Sequence, residues 1–183
     1  MSFEQNHDVY IRPKKISTPA LVSIIVAAAA LLIVGIILLI STFVQPRTAL
    51  AAEEFILHMQ ELGFTVEDRT YRHSERESLH AQLGYVKTDL AVTSEYFHIE
   101  FFVFSTEARA RQAYGASMRE LEDARRGGAA SHSQVCVLNF NRFTQTFGGL
   151  YHVVCRVDNT LVWAATTAEN RAALNEILEI LGY

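Results

Sequence analysis

From Ala20 to Val44 the chain is almost wholly Ala, Leu, Ile and Val, and no ionisable side chain stands between Lys15 and Arg47. As a helix rising about 1.5 Å per residue, this run is roughly 37 Å long. It spans a hydrocarbon layer of about 30 Å with room to tilt. Its sixteen Leu, Ile, Val and Phe side chains each favour insertion by a few tenths of a kcal/mol. A helix apolar on every side must otherwise be buried on every side, and one small domain cannot supply that many partners. The pattern therefore predicts a transmembrane helix over 19–45, with a short tail over 1–18 and a folded part over 46–183. A cleavable signal peptide is the competing reading, because Ala49-Leu50-Ala51 fits a small-residue cleavage pattern. Signal h-regions run about 7–15 residues, so the length of this one favours an uncleaved anchor.

Beyond Pro46 the pattern changes. Ala52, Phe55, Met59 and Leu62 recur at helical spacing ahead of Gly63, which predicts a helix over 48–62. "FTVED" reads as a short strand and the polar run "RTYRHSERESLHAQ" as loop. "YVKTDLAVT" and "YFHIEFFVF" are β-rich and separated by Ser94-Glu95, which predicts a hairpin. In the second of these, Phe97, Ile99, Phe101 and Val103 share one face. His98 and Glu100 alternate with them, while Phe102 and Phe104 break the polar side and imply that both faces are partly covered. A second helix is expected over 106–126 with Ser105 or Thr106 as N-cap and Ala110, Tyr114, Ser117 and Leu121 as its buried stripe. "RRGGAASHS" ends it. "QVCVLNF" reads as a strand, and "LYHVVCRV" and "TLVWAAT" flank Asp158-Asn159 as a two-residue hairpin. Thr166-x-x-Glu169 has the form of a capping box opening a last helix through Leu174, Ile177, Leu178 and Leu181. The expected class is α+β: an N-terminal transmembrane helix followed by a small antiparallel sheet packed with about three helices.

Charge fixes the expected orientation. The tail to Thr18 carries three basic and two acidic residues, net +1, and the part after Val44 carries 13 basic and 18 acidic, net −5. Together these give the overall −4. Arg12, Lys14 and Lys15 crowd the N-terminal flank, so the positive-inside rule puts the tail in the cytoplasm and the C-terminal domain outside. An acidic outer domain without a basic stripe is a poor fit to nucleic acid. About 135 residues outside the membrane suffice for one hydrophobic core, and not for two.

The runs "IEFFVFSTEARARQAYGASM" and "VDNTLVWAATTAENRAALNEILEILGY" resemble the outer domains of small single-pass membrane proteins of Gram-positive bacteria. Those proteins share the order anchor, helix, strand pair, helix, hairpin and terminal helix ending in Leu-Gly-Tyr. The similarity covers about the last two-thirds of the chain and rests on structural motifs. It implies an extracytoplasmic α+β fold in a bacterial cell envelope and brings no catalytic residues with it.

Candidate chemistry is sparse. Cys136 and Cys155, the only cysteines, both lie in predicted strands of an outer domain. A disulfide would close a loop of nearly twenty residues, contributing roughly 3 kcal/mol. Two buried thiols acting as small hydrophobes is the plainer alternative. His132-x3-Cys136 and His152-x2-Cys155 look like paired metal ligands, but His152 and Cys155, three apart on a strand, point to opposite faces, and His132 falls outside the predicted strand QVCVLNF. Neither HExxH nor CxxC occurs. There is no G-x-S-x-G elbow and no phosphate-binding glycine pattern, Gly127-Gly128 and Gly148-Gly149 being turn signals. His98 and Glu100 share a strand face and, with His152, form a candidate polar surface site. Ser23, Ala27 and Ala30 make a small-residue stripe along the anchor that could pack against a second copy, and the mixed-charge segment "TYRHSERESLH" is a candidate recognition loop. No cofactor, metal or catalytic residue is expected. The expected partners are the lipid bilayer through 19–45, an envelope protein, and a second copy through the anchor. The expectation is a non-enzymatic interaction or accessory module of the cell envelope. The alternative is a weakly marked envelope hydrolase whose site is scattered in sequence.

Overall fold

The computed structural model describes residues 18–43, 45–73, 86–125 and 130–183, and so leaves most of the TYRHSERESLH segment and Gly127-Gly128 outside the described residues. The chain divides into two compact units, 1–45 and 46–183.

The first unit contains helix α1, Thr18–Phe43, twenty-six residues without a charged side chain. Its length as a helix is about 39 Å. Its described side chains, among them Val22, Ile25, Val26 and Leu31, are exposed. Ser23, Ala27 and Ala30 are exposed too, and the Ser23 hydroxyl donates to the Pro19 carbonyl at 2.9 Å, one turn back. Among the described residues no helix is long and apolar enough to cross a membrane.

The second unit is α+β, as the patterning predicts, but its sheet is larger than the small sheet expected. Seven strands run antiparallel in the order β1-β2-β3-β7-β6-β5-β4. They are β1 Glu67–Asp68, β2 Val86–Thr93, β3 Phe97–Phe104, β4 Ser131–Val137, β5 Phe140–Phe147, β6 Leu150–Val157 and β7 Thr160–Thr167. Helices α2 Ala52–Glu61, α3 Glu107–Ala124 and α4 Arg171–Ile180 pack on the sheet. The strand missing from the sequence reading is β5. Its three phenylalanines, Phe140, Phe143 and Phe147, do not alternate with polar residues, because the sheet is covered on both sides and each face claims some of them.

One face carries Leu90, Ile99, Phe101, Val153 and Val162 against Phe55 and Met59 of α2 and Leu174 and Leu178 of α4. The Phe55 and Phe101 rings stack with centroids 4.7 Å apart. The other face carries Phe102, Phe104, Phe143, Val154 and Leu161 against Ala110, Tyr114 and Leu121 of α3. Phe102 and Phe104 are thus core residues of the second layer, which is why they interrupt the polar side of their strand.

The ends of the helices follow local chemistry. Thr106 caps α3 by accepting the Arg109 N–H, while at α2 the Glu54 side chain accepts the Ala51 N–H. Gly63 and Gly182 take positive φ, +85° and +82°, just past α2 and α4. There they let Phe64 and Tyr183 donate back to the Met59 and Leu178 carbonyls. The expected capping box at Thr166 does not form. β7 continues through Thr167, and the Thr166 hydroxyl donates to the Tyr96 carbonyl. A 3-10 turn, Ala168–Asn170, precedes α4. Helix α2 begins at Ala52, later than expected, because the stretch from Arg47 is held extended. Arg47 exchanges hydrogen bonds with the Asn139 side chain, donates to the Gly182 carbonyl, and lies 3.7 Å over the Phe140 ring.

Candidate functional site

Register across the sheet decides which candidate residues meet. Thr93 pairs with His98, His98 with Ala165, Ala165 with His152, His152 with Gln145 and Gln145 with His132. One transverse row on the α3 face therefore holds all three strand histidines. Glu100 lies in the next row, between Ala91 and Trp163. The small Ala165 between His98 and His152 leaves the Trp163 ring within reach of both, with centroids 6.0 and 5.9 Å away. His98, Glu100 and His152, grouped in the sequence analysis as a candidate polar site, lie on one face of the sheet, with β7 between the strands of the two histidines.

The surroundings of each group limit what it can do. His98 Nδ1 lies 2.9 Å from the Thr93 hydroxyl and Nε2 3.1 Å from Glu100 Oε1, so both ring nitrogens are engaged. Glu100 Oε1 also receives Arg69 Nη1 at 2.9 Å. Next to this chain, His73 Nε2 and Asp89 Oδ2 meet at 2.7 Å in a pair almost closed to solvent. The Asp89 N–H donates to Thr70 Oγ1 and its carbonyl accepts the Arg69 N–H, so the 3-10 turn Thr70–His73 is fastened to β2. Burial raises the Asp89 carboxyl above the usual aspartate range against the opposing pull of His73. Arg69, His73 and Asp89 escaped the sequence reading. Two come from the run read as loop. Asp89 offered a signal in its carboxylate inside the apolar run of β2.

His152 is the exception in its row. Its Nδ1 is buried with no hydrogen-bond partner among the described residues, and burial holds its pKa below the ordinary value of 6.5. The unfolded chain protonates near that value and the folded chain only below it. His152 therefore contributes stability that is present above pH 6.5 and lost as pH falls through 6.5 toward its folded value. Asp89 acts oppositely: its raised carboxyl takes up a proton in the fold first, between its folded value and the ordinary 3.8. Thermal melts should show a fall in Tm between pH 7 and 5.5 that is smaller in His152→Gln. Parallel pH profiles for parent and variant would contradict the assignment.

The cysteines do not meet. Cys136 pairs with Asn141, and Asn141 with Arg156, so Cys136 shares the α3 face while Cys155 points the other way. With β5 between their strands, the Cα atoms are about 10 Å apart, beyond disulfide reach. Both thiols are free, Cys136 exposed and Cys155 buried. Burial pushes the Cys155 thiol up to about 12, which makes it inert as a nucleophile. Among the described residues no group of three His, Cys, Asp or Glu side chains is placed to hold a metal ion. Shallow cavities open at Arg47, Thr48 and Glu179, at Leu50, Lys87 and Asn159, and at Ser131, Thr144 and Arg171. None of these three is lined by His98, Glu100 or His152.

No protein-family model matches the chain, and no curated protein matches it.

Proposed function

We propose that this chain is a membrane-anchored extracytoplasmic module of a bacterial cell envelope that works by binding another protein, as an interaction or accessory domain. The observation that carries the reading is the pairing of an uncharged apolar run, Ala20 to Val44, with a separate compact unit over 46–183. The run supplies the anchor. Arg12, Lys14 and Lys15 hold the tail in the cytoplasm and leave 46–183 outside. The resemblance of 99–118 and 157–183 to envelope proteins of Gram-positive bacteria supports the same location. A hydrolase needs its base beside a pocket for substrate. His98, held between the Thr93 hydroxyl and Glu100, and His152 line none of the three cavities described above.

Two fractionations test the anchor. The full chain should stay with membranes after an alkaline carbonate wash, whereas the chain without residues 1–46 should be recovered in the supernatant. Full release of the intact chain would remove the anchor reading. Orientation is tested at Cys136, which is exposed. A membrane-impermeant maleimide should label it in intact cells without denaturant, and Cys155 only after unfolding. Labelling of Cys136 that needs the membrane to be breached reverses the topology.

A further inference from the structure

The two edges of the sheet are built differently. The β1 edge is two residues long and both are acidic, which discourages another strand from pairing with it. The β4 edge has none of these protections. All seven residues of Ser131–Val137 are exposed, none is Pro, Lys, Arg, Asp or Glu, and the register against β5 runs unbroken from Ser131–Thr146 to Val137–Phe140. Val135, Val137 and Leu138 are 43%, 41% and 64% exposed.

We propose that β4 is a docking edge for the β4 strand of a second copy of this chain, paired antiparallel about a two-fold axis at Gln134. The backbone sets the register. The two-residue turn Leu138-Asn139 is closed by Val137 and Phe140, a hydrogen-bonded pair. Counting back, Val137, Val135, Ser133 and Ser131 use their N–H and C=O groups on β5, and Cys136, Gln134 and His132 turn theirs to the open edge. A two-fold axis at Gln134 matches every outward group. Gln134 meets Gln134 of the second copy, and His132 meets its Cys136. All seven residues overlap, whereas an axis at Cys136 or His132 shortens the ladder. The side chains fit a second copy because the strand carries no charge. Self-pairing opposes no like charges, and each Val135 and Val137 falls against a serine. Arg125, whose Nη1 lies 3.1 Å from His132 Nδ1, brings a charge only to one end of the strand, two residues from the Gln134 axis.

One strand pair buries less than the roughly 800 Å² per partner of a stable complex. The pairing is therefore weak for free molecules and gains from confinement of both copies to one membrane. Only that gain rests on the anchor reading; the edge itself lies within 46–183.

The register can be read covalently. Facing residues of an outward pair stand about 5.5 Å apart, within disulfide reach. Two Cys136 side chains, displaced by two residues on each side of the axis, stand roughly 14 Å apart, out of reach. The full chain is incubated with vesicles of phosphatidylcholine and phosphatidylglycerol and oxidised with diamide. Gln134→Cys in a Cys136→Ser background should give a disulfide-linked dimer, while the parent, in which Cys136 is exposed and Cys155 buried, should stay monomeric. Val135→Lys added to the Gln134→Cys chain should cut the dimer yield about tenfold, since a lysine on an edge strand opposes pairing. Equal cross-linking at both positions means collision or association through the anchor, and absence of the Gln134→Cys dimer means no β4 pairing; either overturns the proposal. Melting curves of the reduced variants guard against misfolding. Vesicle flotation reports the anchor separately, and the oxidation is read whether or not the protein floats.

Discussion

Phe101→Ala should cost the 46–183 unit about 3–5 kcal/mol. Phe101 sits mid-strand on β3, paired with Leu90 of β2 and Val162 of β7, and is fully buried. Its ring lies nearly parallel to that of Phe55, 9° apart, and this stack is how α2 grips the sheet. Truncation removes the transfer free energy of the ring, leaves a cavity that rigid strands on either side cannot close, and strips the Phe55 ring of its aromatic partner. For a domain of this size each kcal/mol moves Tm by roughly 3 °C, so a shift of about 10 °C or more is expected. Ile99→Val, on the same strand face, should cost only about 0.5–1.5 kcal/mol. Chemical denaturation of the two variants side by side checks this. A Phe101→Ala loss no larger than that of Ile99→Val would mean that α2 is not held through this stack.

The same two-faced burial explains what the sequence could reveal. Where a helix faces the sheet on one side and water on the other, its period survives in the text: Ala110, Tyr114, Ser117 and Leu121 are buried as their spacing predicts. The hairpin at Asp158-Asn159 was legible because a two-residue turn restricts residue types, and Asp158 takes a positive φ of 47°. β5 was hidden because its faces meet different neighbours. Phe140 joins the core under α2 and α4 and Phe143 the core under α3, while buried Gln145 donates to the Leu121 carbonyl. No alternation remains to be read. The polar cluster was half legible. His98, Glu100 and His152 lie in strands, where parity assigns the face. Arg69 and His73 reach Glu100 and Asp89 through a turn whose path no periodicity specifies.

Arg156 should prove the polar residue on which the other layer most depends. It is 3% exposed on β6, among the apolar side chains beneath α3. Its Nε donates to Asn141 Oδ1 at 2.8 Å, and Nη1 donates to the Asp158 carbonyl at 2.8 Å and reaches Glu107 at 3.3 Å. The planar guanidinium thus joins β5, the β6–β7 turn and the first turn of α3 from one position. Asn139 and Asn159 tie in neighbouring elements by bonding to Asp158 and to the Phe104 carbonyl. Arg156→Ala removes the donors from Asn141 and Asp158 at a cost of about 1–3 kcal/mol each, a total of roughly 2–6 kcal/mol. Lysine keeps the charge but not the fork, so Arg156→Lys should lose about half as much. Glu107 is half exposed and already held by Arg111. Water can replace its share, and Glu107→Gln should melt close to the parent. The ordering Ala, then Lys, then the Glu107 variant separates a hydrogen-bonding hub from a simple ion pair. An ion pair would make Arg156→Lys nearly silent and Glu107→Gln as costly as Arg156→Ala, and that result would leave the charge, and not the geometry, as the reason for burying an arginine under α3.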